Sequence, residues 1–303
     1  MIIQPEGPSH EFLAISQPAH SWISGQIARS WGNKVFSGFQ PFEQICYAAA
    51  QHDVGFLAWE CAPTLNQATG LPQTFEELPE PMHFEIWRTG ISQLRPVCLY
   101  ASLVVSLHFC NLCERFHEVS IDEDQSGSGG FLKEQREYQK VARGLLRGDP
   151  LLEDALEDHV LSYHRDLIAT WDLFSLQLCR GRSNEFNLPR VRMREGGKSD
   201  ILVRKIDNSS NIWEVEPWPF NVRSLTVISE GKAIPRRFDE LNTMRAALRD
   251  ADRISLQFHF LPAREGGFTT ETQRGVAATK FYVLRKNGLA VPPKKRARNS
   301  RFL

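Results

Sequence analysis

Five helix-forming segments carry a histidine or an aspartate where their buried apolar row continues, and this constrains the fold more than any other feature of the chain. In the segment from Pro18 to Trp31 the inward row Ile23, Ile27, Trp31 reaches back one turn to His20. From Pro41 to Asp53 the stripe Phe42, Ile45, Cys46, Ala49 runs on to the adjacent pair His52 and Asp53. His83 shares a row with Trp87 and Leu94, and His108 continues Val97, Ala101, Val104, Val105. Asp172 lies on the face defined by Ile168, Trp171, Ser175 and Leu178. A lone histidine on an apolar face is ordinarily a core residue bonded to a carbonyl, whereas a lone buried aspartate is costly to desolvate. One divalent-metal cluster compensates all six together, because it ligates neutral imidazoles and neutralises carboxylates.

Helices are expected over 18–31, 41–53, 81–94, 97–113, 131–146, 151–179 and 237–250. Strands are expected over 11–16, 201–206, 212–215, 224–229, 254–260 and 279–284. The expected fold class is mainly α, an HD-like helical bundle with an appended C-terminal α+β part. The division places a helical metal-binding region at 1–181, an α+β region packed on it at 182–290, and a basic flexible tail at 291–303. The acidic, then Gly/Ser-rich, stretch Asp122–Gly130 reads as a flexible surface loop.

The order His20, His52-Asp53, His83, His108, Asp172 resembles the H…HD…H…H…D pattern of the HD-domain superfamily. That resemblance implies a helical bundle in which His20, His52, Asp53 and Asp172 hold one metal while His83 and His108 complete a second. The stretches Gln17–His20, Gln51–Phe56, Ser106–His108, Trp171–Leu176 and Pro217–Phe220 are together similar to the family known as domain of unknown function 3891. This second resemblance covers roughly residues 2–262 and brings no activity with it.

The HD likeness implies a metal-dependent hydrolase of a small, phosphorylated substrate, using one or two divalent ions (Fe, Mn, Mg or Zn). Asp53, bridging two ions, and His164, as proton donor or phosphate holder, are the candidate catalytic residues; a structural histidine is the plainer reading of His164. A diiron oxygenase uses the same six ligands. A partner-binding module with a structural metal site is the third reading, with Trp213 and Trp218 as its exposed aromatics or, more simply, as core.

Thirty-six basic and 36 acidic residues cancel, so no overall field draws the chain to nucleic acid or acidic membranes. Lys294-Lys295-Arg296 opens a basic cluster that would allow a nucleic-acid contact or nuclear import, or simply be a solvated tail. No secretory pattern occupies Met1–Glu11, and 97–113 is too short and polar for a comfortable span, so a cytoplasmic protein is expected. Cys110-Asn-Leu-Cys113 lacks a second pair and reads as buried thiols. Trp59-Glu60, just past the HD pair, offers either a supporting carboxylate or a surface glutamate.

Overall fold

The computed structural model describes residues 1–4, 12–116, 127–207, 211–263 and 283–284. The basic tail and most of the acidic stretch lie outside them, while Ser128–Gly130 form the first turn of a helix. The helices are α1 (Gln17–Arg29), α2 (Phe42–Gln51), α3 (Leu57–Cys61), α4 (Glu80–Leu94), α5 (Leu99–Phe116), α6 (Ser128–Leu146), α7 (Asp158–Arg180) and α8 (Leu241–Asp250).

Local chemistry sets these boundaries. Ser16 caps α1 by accepting a hydrogen bond from the Ala19 amide, and Pro18 occupies the first turn, where its missing N–H costs nothing. α7 stops at Gly181, whose positive φ suits glycine. α5 is buried nearly all round, so its apolar length is that of a core helix. Among the described residues no helix is long and apolar enough to cross a membrane.

The strands are β1 (Ile2–Ile3), β2 (Phe12–Ile15), β3 (Leu65–Asn66), β4 (Leu71–Pro72), β5 (Glu185–Arg192), β6 (Lys198–Lys205), β7 (Ile212–Glu216), β8 (Leu225–Ile234), β9 (Arg253–Pro262) and β10 (Val283–Leu284). β3 and β4 form a separate small ribbon. The rest make one mixed sheet in the order β1-β2-β8-β9-β7-β6-β5, with β10 also on β9; its β7–β9 pairing is parallel and the other pairings are antiparallel.

This sheet corrects the expectation of a mainly helical bundle with an appended part: the fold is α+β. Phe12 of β2 pairs with Ile234 of β8, so the sheet draws strands from both ends of the chain. The larger apolar core runs from Ile2 through the helices to Phe260, and a smaller one gathers Met1, Phe12, Ile234, Phe238, Met244 and Leu248. Helix α1 lies on β8, where Ser229 donates to the Ala19 carbonyl and Gln26 exchanges two hydrogen bonds with the Ile228 backbone. At its other end Trp31 bridges to Phe220, and Asn33 donates to the Trp218 carbonyl. Trp213 is buried and Trp218 is half-buried against Phe220, so both pack within the fold.

Candidate metal centre

Three close approaches of backbone build the site. Where α1 crosses α2, a Cβ on Gly25 would lie 2.5 Å from the Cβ of Ala50. Where the chain leaves α2, a Cβ on Gly55 would lie 2.1 Å from the Ile86 carbonyl oxygen and 2.7 Å from the Gly90 amide of α4. Glycine at 55 thus lets the turn after His52-Asp53 sit directly on α4. The third approach is at the start of α1, where both Glu60 carboxylate oxygens accept from the Gln17 amide at 3.0 Å. Glu60 is buried and also pairs with the Met1 amino group; burial raises its carboxyl despite that amine.

These contacts bring His20, His52 and Asp53 together, and α5 and α7 add His108 and Asp172. His20 Nε2 is 2.7 Å from Asp53 Oδ2, and His52 Nε2 is 3.6 Å from the same oxygen. Asp172 faces the other imidazoles, with Oδ1 3.5 Å from His52 Nε2 and Oδ2 3.3 Å from His108 Nε2. Ligand atoms of His20, His52 and Asp53 lie within 4.8 Å of one another, as do those of His52, His108 and Asp172. His52 belongs to both groups.

The outer nitrogens fix the rings. His52 Nδ1 donates to the Ala49 carbonyl (2.9 Å), leaving Nε2 as its ligand atom. Ser175 donates to the Asp172 carbonyl, so its oxygen accepts from His20 Nδ1 at 2.8 Å, and Ser24 stands 2.8 Å behind it. With Nδ1 turned to Ser175, Nε2 is the His20 nitrogen that faces the Asp53 carboxylate.

The buried set fits a divalent ion on chemical grounds. His52 Nε2 and both nitrogens of His108 are buried without an aligned hydrogen-bond partner. Such orphaned atoms are costly in a core unless something binds them. Three imidazoles and two carboxylates form a donor set for first-row metals or magnesium-like ions, according to which members engage. Burial opposes charge on His52, yet the Asp53 and Asp172 carboxylates outweigh it and raise the imidazole to about 9. Burial likewise opposes ionisation of Asp53 and Asp172, and the surrounding histidines overcome it and hold both below the usual range. Asp172, 15% exposed, is the most open of the five side chains.

The other sequence candidates sit elsewhere. His83 stacks on Trp87 at 5.4 Å, next to Phe56 and Phe75, and joins neither ligand group. His164 is eight residues before Asp172, about 12 Å along the helix. Its Nδ1 meets the Tyr100 hydroxyl at 2.8 Å, and that hydroxyl donates to the Ala155 carbonyl. Burial lowers His164 to about 4. Cys110 and Cys113 are buried free thiols, which burial pushes up to about 12 and about 11, and neither joins a ligand group. Ser175 is legible in the sequence only as a polar member of an apolar row; its bond to His20 needs the packing of α1 on α7.

No curated protein and no solved structure matches the chain. The family described as "Protein of unknown function (DUF3891)" matches residues 1–236, so the chain belongs to that family.

Proposed function

We propose that this chain is a metal-dependent hydrolase of a small phosphate ester, with His20, His52, Asp53, His108 and Asp172 as its metal ligands. The observation that carries the reading is a pair of buried ligand groups sharing His52, with two orphaned imidazole nitrogens, His52 Nε2 and His108 Nε2, facing Asp172. A divalent ion held there would supply Lewis acidity toward a phosphoryl oxygen and make water nucleophilic near neutral pH.

The chain's own residues prepare that chemistry. Ala49 and Ser175 aim the two imidazoles and fix which nitrogen faces inward. Asp53 lies between His20 and His52, and Asp172 between His52 and His108, so each carboxylate is placed to touch more than one ligand position. The apolar core around α5 excludes bulk water from the back of the site, and Asp172 is the ligand that retains contact with solvent. His164, held neutral beside Tyr100, is assigned a structural part rather than proton donation.

The reading is tested by phosphate release from a panel of small esters, using protein reconstituted with Mn, Mg, Zn or Fe in turn. Release that depends on the ion and disappears in Asp53→Ala is expected. Oxygen consumption by the iron-loaded form, with no phosphate released under any ion, overturns it in favour of a diiron oxygenase.

A further inference from the structure

A concave site lined by none of the metal ligands lies between α6 and α7. Its volume is about 460 Å³, and its lining includes Arg136, Lys140, Arg143, Arg147 and Arg165, with Asp158 as the lining acid. Arg136, Lys140 and Arg143 of α6 follow i, i+4, i+7, which places them on one helix face spanning about 10 Å, and Arg147 is the residue that caps the helix's C-terminal end. Arg165 faces them from α7.

Part of this charge is neutralised locally. Arg136 pairs with Glu114 at 2.9 Å, Arg143 with Asp158 at 2.7 Å, and Arg165 with Asp166 at 2.7 Å. Among the described residues Lys140 and Arg147 have no ion pair. Lys140 and Arg147 therefore carry the uncompensated positive charge of the cleft, which an anion entering it would meet. The cleft has the size of a small-molecule site, and a sequence pI of about 7.1 gives no long-range field for gathering nucleic acid.

We propose that this cleft binds a small polyphosphate, with Lys140 and Arg147 as its unpaired phosphate contacts and Arg136, Arg143 and Arg165 completing the cationic wall. The site stands apart from the metal reading and does not need it.

The probe is inorganic tripolyphosphate, titrated calorimetrically into the full chain at several salt concentrations. One saturable site is expected, weakening as salt rises. The double variant Lys140→Gln/Arg147→Gln is expected to lose about tenfold or more in affinity, a loss of about 1.4 kcal/mol or more. Both side chains are exposed, so the variant should keep its fold. Lys198→Gln/Arg223→Gln, exposed positions elsewhere, should bind as wild type does, and so should His52→Ala.

The proposal is overturned by an absence of saturable binding, or by equal binding in the Lys140/Arg147 variant. It is also overturned by loss of binding in a His52→Ala variant that keeps the wild-type circular-dichroism spectrum and thermal unfolding, which would place the probe at the metal centre. A twenty-nucleotide single strand binding far more tightly than tripolyphosphate would replace it with a nucleic-acid surface. Tighter binding after neutralising Asp122, Glu123 and Asp124 would assign the cleft to the chain's own acidic stretch.

Discussion

Ser175 Oγ lies 2.8 Å from His20 Nδ1, so a hydroxyl on α7 sets the ring of a ligand on α1. Supporting hydrogen bonds of this kind typically contribute about ten- to a hundredfold to metal affinity. Ser175→Ala should therefore bind metal more weakly by about that factor while keeping its circular-dichroism spectrum. Competition with a chelator of known affinity measures it. Unchanged affinity would mean that His20 is not a ligand or is oriented by something else.

The glycine at 55 should be irreplaceable for a different reason from most glycines in the chain. Its Cβ would meet the Ile86 carbonyl of α4 at 2.1 Å, so Gly55→Ala must push the turn off that helix. The expected cost is about 1–3 kcal/mol, together with reduced metal occupancy as His52 and Asp53 move. Gly144, in the last turn of α6, has nothing within 4 Å of its Cβ position, so Gly144→Ala should stabilise by up to about 0.5–1 kcal/mol. Urea denaturation of the two variants compares them directly, and equal effects would contradict the packing described.

His52 yields a prediction about protons. Its folded-state value of about 9 means the metal-free chain holds that proton at pH 7, whereas a metal ligand must be the neutral ring. Metal binding at pH 7 should release a proton, and apparent affinity should rise with pH until about 9 and then flatten. Calorimetric titrations in two buffers of different ionisation enthalpy count the protons. A count of zero would show that the ring is not the group displaced.

His164 gives the opposite sign. Burial lowers its folded-state value to about 4, below the ordinary 6.5, so between those limits the unfolded chain binds the extra proton. Its contribution is fully present above pH 6.5, is lost progressively as pH falls toward 4, and amounts to about 3 kcal/mol. His164→Leu should remove that part of the pH dependence. The difference between wild-type and variant stabilities across pH 4–7 isolates it, and a flat difference would rule out a neutral buried imidazole at this position.

The helices that hold the site were legible because each buries one face, and that burial imprints a period near 3.6. Ile23, Ile27 and Trp31 are buried beside His20, and Ile168, Trp171 and Leu178 lie on the same helix as Asp172. The sheet is harder to read, and this is why the sequence suggests a mainly helical bundle where the fold is α+β. Neither β2 nor β8 states in its own sequence that it pairs with the other, since that pairing is fixed only by the closed core. β5 lies where no strand is expected, and it contains Pro189, which cannot donate to a ladder. It is tolerated there because β5 is the sheet's edge strand, with a register shift between Leu188 and Val191 and a positive φ at Arg190. Helical spacing placed His83 in line with Trp87, and the two do stack, but spacing alone carries no information on which face meets the ligand group. The cationic row of α6 was also present in the sequence, yet it reads as an ordinary solvated face until α7 closes the cleft opposite it.

The most direct test of the central claim is elemental analysis of the purified chain beside His52→Ala and Asp53→Ala. Near-stoichiometric divalent metal in the wild type, lost in both variants with the fold retained, is the predicted result. Folded wild-type protein that takes up no metal after reconstitution with Fe, Mn, Mg or Zn would contradict it, and the buried histidines and aspartates would then be a polar core.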